Sequence, residues 1–377
     1  MFAAVAAGLV FSPWAASAAE PRAQPWKAAY QGNDVSGKHV IGHWSFDAAD
    51  ATLDSGPGKL PGKLDGAVAV KAGRFGGGLE SFPGFPSSDK HHGLVVAAHP
   101  SLSPQAAFSA EMWVQAKPEL ATASQAYLLD KKYSLHTDFQ WLLAAPEKSG
   151  TRRMLVNLGF GGDTETFATE PIPFPAGEWH HVAFTYDGAG TVRFYRDGSM
   201  IGSIIRAGRR GVTGGGNPLC IGDRVGSSFG GFPGVIDEVR LCSGALEFGS
   251  ATVRVESDRT VFVRGEEPPR IRITVTNLGT EPLRGATLRI NGLGKRGEST
   301  SLPEIPAGKP HTVEQAFDTR LRPDDYTCRA VLSLPGDPPS EIATSLAIKL
   351  VHRPLPLRMP VVMWGSFGPE FATELPR

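Results

Sequence analysis

Hydrophobic and polar positions alternate most regularly at 179–205. Val182, Phe184 and Tyr186 alternate with His181, Ala183 and Thr185, and Val192 and Phe194 alternate with Arg193 and Tyr195. A period of two marks a strand with one face turned to a core. Asp187-Gly188 and Asp197-Gly198 interrupt the alternation. Glycine accepts positive φ and aspartate bonds to the backbone that follows it, so each pair predicts a tight reversal and the stretch predicts a three-stranded meander. Strand patterns also occur at 40–46, 93–97, 108–115, 127–131, 139–144, 153–160 and 235–241. Helix-forming composition is confined to 117–128, where Pro118 and a Thr-Ala-Ser run weaken it.

The pattern changes after 244–249. Seven shorter strands are predicted at 252–256, 261–264, 270–276, 286–290, 311–317, 326–334 and 344–351, a spacing that suggests an immunoglobulin-like sandwich over 250–352. Ile271-Arg-Ile-Thr-Val-Thr-Asn-Leu-Gly279 resembles the strand and turn of bacterial immunoglobulin-like and adhesion-type domains, which implies a spacer. Residues 353–377 hold a proline-rich linker and then the apolar run Met359-Pro-Val-Val-Met-Trp-Gly365. Continuous apolar character suits a strand buried on both faces, and the run resembles the first strand of (β/α)₈ glycoside hydrolase barrels. The expectation is a third domain continuing beyond 377; the alternative is a last strand laid on the second domain.

At the start, 2–19 is an alanine-rich apolar run ending in Ala16-Ser17-Ala18, the small-x-small pattern of a secretory signal, without the usual basic residues before it. This reads as a signal peptide over 1–19, followed by a linker at 20–37 and a secreted, periplasmic or cell-surface location. No other stretch is long and apolar enough for a membrane helix.

Five motifs carry a family resemblance. They are His43-Trp-Ser-Phe-Asp47, Phe108-Ser-Ala-Glu-Met-Trp-Val114, Trp179-His-His-Val-Ala-Phe-Thr-Tyr-Asp-Gly188 with Val192-Arg-Phe-Tyr-Arg-Asp-Gly198, Leu219-Cys-Ile-Gly222, and Val235-Ile-Asp-Glu-Val-Arg-Leu241. In this order they resemble the laminin-G-like, concanavalin A-like jelly rolls of exported bacterial proteins, over 38–247. The resemblance implies an all-β chain, with a concanavalin A-like jelly-roll sandwich ahead of the immunoglobulin-like one. It implies terminal strands lying side by side, core positions for Trp44, Trp113 and Trp179, and a structural role for His180. It also implies calcium, for which Asp47, Asp50, Asp54 and Asp237 are the candidate carboxylates.

Composition narrows the function. Lys plus Arg equals Asp plus Glu, 38 against 38, so nothing in the charge balance suggests a broad electrostatic footprint for nucleic acid or anionic membrane. Forty-five glycines and 31 prolines fit a turn-rich β protein. Three cysteines leave at least one unpaired. Cys328 shares its face with Tyr326, Ala330 and Leu332, which predicts a buried thiol, so Cys220–Cys242 is the one candidate bridge, open until their Cα atoms are known to come within about 7 Å.

Some jelly rolls of this kind are glycanases with Glu-x-Asp-x-Glu on one strand, projecting three carboxylates to one face. Here Asp237-Glu238 are adjacent and face opposite ways, and Glu111 stands alone before Met112-Trp113. The adjacent pairs His91-His92 and His180-His181 likewise split between faces. No Gly-x-Ser-x-Gly, His-Glu-x-x-His or phosphate loop occurs. The expectation is a non-catalytic, lectin-like module for polysaccharide or glycan, with Phe82, Phe85, Trp141, Phe229 and Phe232 as stacking rings. It is read as the accessory N-terminal region of a larger glycoside hydrolase; the alternative is an adhesion or scaffold protein whose jelly roll binds a surface protein.

Overall fold

The computed structural model describes residues 24–81, 90–226, 229–294, 297, 299–335 and 340–353. The signal at 1–19, the tail at 359–377, Phe82 and Phe85 therefore lie outside the described residues. Among the described residues no helix is long and apolar enough to cross a membrane.

The first module opens with β1 (Val40–Trp44), β2 (Gly62–Asp65), β3 (Val68–Val70), β4 (Gly78–Glu80), β5 (Gly93–Val96) and β6 (Phe108–Ala116). It continues with β7 (Ala126–Asp130), β8 (Phe139–Leu143), β9 (Met154–Gly159), β10 (Thr164–Ala168) and β11 (Trp179–Tyr186). β12 (Thr191–Arg196), β13 (Ser199–Ile205), β14 (Leu219–Ile221) and β15 (Gly234–Ser243) complete it. Sheet A runs β13-β12-β11-β6-β15-β4-β3, with β1 also on β15; sheet B runs β10-β9-β8-β7-β14-β5-β2. All their named strand pairs are antiparallel. The implied pairing of terminal strands holds, Val40 facing Cys242 and Trp44 facing Val239.

The meander at 179–205 is β11, β12 and β13. Asp197 and Gly198 both take positive φ, 50° and 80°, the backbone a two-residue hairpin needs to match strand twist. Phe108, Ala110, Met112 and Val114 of β6 join Val182, Phe184 and Tyr186 of β11 in the core between the sheets, with Trp44 and Trp141. Alternation thus fixed orientation, but β11 is buried on both faces rather than one. The cover on its other face is 24–37, read as a linker, whose Trp26 and Tyr30 pack with Trp113, Ala183, Tyr195 and Phe248. The segment holds a 3-10 turn, Pro25–Lys27, and a four-residue helix, Asn33–Ser36. The weak helix pattern at 117–128 yields a single 3-10 turn, Pro118–Ala121, before β7 begins.

The second module has β16 (Ala251–Glu256), β17 (Val261–Val263), β18 (Arg270–Asn277), β19 (Thr287–Asn291), β20 (Ser299–Ser301), β21 (Pro310–Ala316), β22 (Asp324–Leu334) and β23 (Ser340–Val351). They form a three-stranded sheet, β16-β18-β21, and a five-stranded one, β17-β23-β22-β19-β20. Its core includes Phe262, Ile273, Leu288, Phe317 and, as its alternation predicts, Cys328. β20, with three exposed Ser and Thr residues, had no apolar signal to reveal it.

The Cys220–Cys242 bridge does not form. Cys220 lies in β14 of sheet B and Cys242 in β15 of sheet A; both are buried and neither is in a disulfide. Sharing a module did not put them on the same sheet.

Candidate functional site

Sheet B turns Leu94, Leu129, Trp141 and Val156 inward and alternate residues outward. Register places Thr166, Asn157, Gln140, Asp130, Cys220, Val95 and Lys63 in one row across this outer face. Three of them form a directional ladder. The Thr166 hydroxyl donates to Asn157 Oδ1 at 2.7 Å, Asn157 Nδ2 to Gln140 Oε1 at 3.1 Å, and Gln140 Nε2 to the Tyr133 carbonyl at 2.8 Å. Exposure falls along it, from open Thr166 through half-buried Asn157 to buried Gln140. Each amide has one more N–H and one more lone pair than these bonds use, in orientations the ladder fixes. Beside it the Arg224 guanidinium lies 4.7 Å from the Tyr133 ring and 5.6 Å from that of Tyr127. Oriented amides next to aromatic surface is the chemistry that holds sugar hydroxyls and ring faces.

The stacking rings chosen from sequence are distributed differently. Trp141 and Phe232 are fully buried in the core and offer no face to a ligand. Trp141 sits next to Gln140 in β8, so the odd and even members of one strand exchanged roles: the ring went in and the amide out. Phe229 is half-buried, its ring 5.0 Å from His91, whose Nε2 sits 3.2 Å from Cys220 Sγ. Alternating polar residues in β8 to β10 were the available signal for the ladder, overlooked in favour of aromatics.

The outer face of sheet A carries the row Tyr195, Ala183, Glu111, Arg240 and His43. Glu111 is not alone. Arg240 Nε donates to its Oε1 at 2.6 Å, the Tyr30 hydroxyl to Oε2 at 2.5 Å, and His181 Nε2 stands 2.9 Å from Oε2. Burial raises the Glu111 pKa, but Arg240, His181 and Tyr30 outweigh it and bring the carboxyl to about 2. Glu238, turned by a bulge with φ 51°, pairs with His43 Nε2 at 2.5 Å. Glu111 is held in an ion pair with Arg240 and Glu238 in a contact with His43, both buried and closed to substrate as they stand. His180 Nδ1 stands 2.8 Å from Asp197 Oδ2 at the β12–β13 hairpin.

Of the four aspartates implied for calcium, Asp47 and Asp237 meet at the 73–77 loop, while Asp50 and Asp54 serve the loop before β2. Asp54 Oδ1 accepts the His43 and Gly56 N–H groups and Oδ2 that of Leu60, clipping the loop before β2. Asp50 caps Thr52, Asp47 accepts from Gly77, and Asp237 accepts from Phe75 and Glu238. Among the described residues no three His, Cys, Asp or Glu side chains are placed to hold a metal. Calcium takes six to eight oxygens, and each of these carboxylates already accepts backbone N–H bonds.

No curated protein matches the chain significantly. Among solved structures, domain 4 of AbnA, an extracellular GH43 arabinanase from Geobacillus stearothermophilus in complex with arabinotriose, is similar at 22% identity, covering 55% of this chain and 94% of that one, with TM-score 0.41. The binding domain of Paraclostridial mosquitocidal protein 1 is similar at 10% identity, covering 78% and 77%, with TM-score 0.43. The botulinum neurotoxin serotype D ligand-binding domain in complex with N-acetylneuraminic acid is similar at 8% identity, covering 78% and 70%, with TM-score 0.41. Residues 89–248 match the Laminin_G_3 family, described as the concanavalin A-like lectin/glucanases superfamily. That match and the two antiparallel sheets make this part of the chain a concanavalin A-like jelly roll.

Proposed function

We propose that the first module is an exported, non-catalytic carbohydrate-binding module that holds glycan on the outer face of sheet B. The observation that carries the reading is the Thr166–Asn157–Gln140 ladder beside Tyr133 and Arg224, in a fold whose family includes lectins. A glycan hydroxyl would replace solvent at the second N–H of half-buried Asn157, which buried Gln140 holds in place, so the ladder need not reorganise and the cost of binding stays low. The second module serves as an immunoglobulin-like spacer, and the whole as an accessory region of a larger glycoside hydrolase. The non-catalytic reading is supported by Glu111, paired with Arg240, and Glu238, turned onto His43, both buried so that neither is placed as a general acid.

Affinity electrophoresis in arabinan, xylan and mixed-linkage β-glucan gels tests the reading. The wild-type chain should be retarded in at least one, and Asn157→Ala with Gln140→Ala should weaken that retardation roughly tenfold, as loss of about 1.4 kcal/mol predicts. A folded wild type that no glycan retards would instead favour the adhesion reading, in which the same face meets a protein.

A further inference from the structure

The strap at 24–37 is attached unlike any strand. Its backbone bonds are local apart from the Val40 N–H to the Gly37 carbonyl at its exit. What holds it is side chains: the Trp113 indole donates to the Trp26 carbonyl at 3.0 Å and Arg240 Nη1 to the Asp34 carbonyl at 2.9 Å. The Trp26 ring lies flat on His181, centroids 4.5 Å apart and planes 8° apart, and the Arg240 guanidinium sits 4.1 Å from the Tyr30 ring centre.

The fit is incomplete. His43 Nδ1, His181 Nδ1, Trp26 Nε1 and Gln24 Oε1 are buried at or beside this interface with no hydrogen-bond partner. His181 is 0% exposed and His43 2%. Buried polar atoms without partners cost free energy that a better-matched occupant would recover. Beneath the strap lie an indole, a carboxylate, a guanidinium and two imidazoles, side chains that bind sugars by ring stacking and by bonds to hydroxyls.

We propose that this face of sheet A is a second carbohydrate-binding face, closed here by 24–37 acting as an internal ligand. The Tyr30 hydroxyl stands where a sugar hydroxyl would meet Glu111, and the Trp26 ring where a sugar ring would lie against His181. The sugar is a neutral one: it would meet Glu111 as Tyr30 does, by donating a hydroxyl hydrogen bond, without adding a charge to a face where Glu111 is already matched by Arg240. Binding requires the strap to lift, so its apparent affinity is reduced by the fraction of time the face is open. The inference concerns a different sheet from the ladder and is independent of the reading given to it.

The test uses the full chain with Trp26→Ala and Tyr30→Ala combined, in a background of Asn157→Ala and Gln140→Ala that weakens binding at sheet B. Xylan, mixed-linkage β-glucan and arabinan are the probes, with polygalacturonate as the acidic control. Release of the strap should raise affinity for at least one neutral polysaccharide tenfold or more, with no gain for polygalacturonate, and Trp113→Ala should abolish the gain. A folded variant with no gain, a gain that survives Trp113→Ala, or a dimer formed by exchanging straps between copies would each overturn the proposal. If the variant does not fold, hydrogen exchange of the wild type decides. Protection of 24–37 at least tenfold below that of β6, falling further with the neutral polysaccharide, supports a strap that lifts; exchange of both only through global unfolding rejects it.

Discussion

Glu111 and Asp237 title the molecule's stability in opposite directions. Glu111 in the folded state has a pKa of about 2, below its unfolded value of about 4.5, because Arg240, His181 and Tyr30 overcome burial. The stability this gives is present above pH 4.5 and lost as pH falls toward 2, roughly 3 kcal/mol in all. Urea unfolding at steps from pH 2 to 7 should show that acid loss, and Glu111→Gln should lack it while being less stable at neutral pH by about 3–5 kcal/mol, since it leaves Arg240 buried without its counter-charge. For Asp237, burial leads, and the charges of Glu238 and Asp47 add to it against the Phe75 and Glu238 N–H groups, raising the pKa to about 8. The folded state keeps a proton that the unfolded chain releases near pH 4, so this stability is full below 4 and lost as pH rises to 8. Asp237→Asn should flatten the slope between pH 4 and 8 and leave the acid limb untouched. A slope unchanged in that variant would assign it to another group.

At the scale of elements, the β12–β13 hairpin couples a turn to the strap. Gly198 has φ 80°, and a Cβ there would stand 2.8 Å from Gln24 Nε2 and 2.9 Å from Trp26 Cζ2. Gly198→Ala should therefore cost about 1–2 kcal/mol from the left-handed backbone alone, and more if Trp26 is pushed off His181. Denaturant unfolding gives the cost, and quenching of tryptophan fluorescence by acrylamide reports whether the indole has moved. This turn was legible in the sequence because Asp-Gly between alternating runs is a local signal. So were β11 and β12, whose apolar residues recur every second position, and β5 to β9, which read as short apolar strand runs. The strap was not. Tyr30 meets Glu111 across 81 positions and Trp26 meets Trp113 across 87, and a segment with Pro25, Gly32 and Asn33 has no period to betray that it folds back. Two aromatics four residues apart in a stretch read as linker were its one local mark. Glu111 looked solitary for the same reason, its partners arriving from 24–37, β11 and β15.

At the scale of the whole molecule, the strap moves the edges of the first module. Its main core closes within β1 to β15, but the smaller cluster under the strap takes Trp26 and Tyr30 from before β1 and Phe248 from after β15. Ala251, three residues on, belongs to the second core. The chain passes from one to the other at 249–250, where the Ser250 N–H bonds to the Gly198 carbonyl and its own carbonyl accepts the Leu278 N–H. A cut that respects both clusters leaves 24–250 and 250–353, rather than 38–247 and 250–352. Each piece keeps all its strand pairs, and linked modules commonly share small, polar interfaces, so both should unfold cooperatively by calorimetry, at temperatures close to two transitions of the full chain. A third fragment, 38–250, separates the strap from the sandwich it covers. Without it Trp113, Ala183 and Tyr195 lose much of their cover, and the fragment should still unfold in one transition but several degrees lower than 24–250. Equal melting of the two would mean that the strap adds nothing to the sandwich, whereas a 38–250 that cannot fold at all would make the strap part of the core.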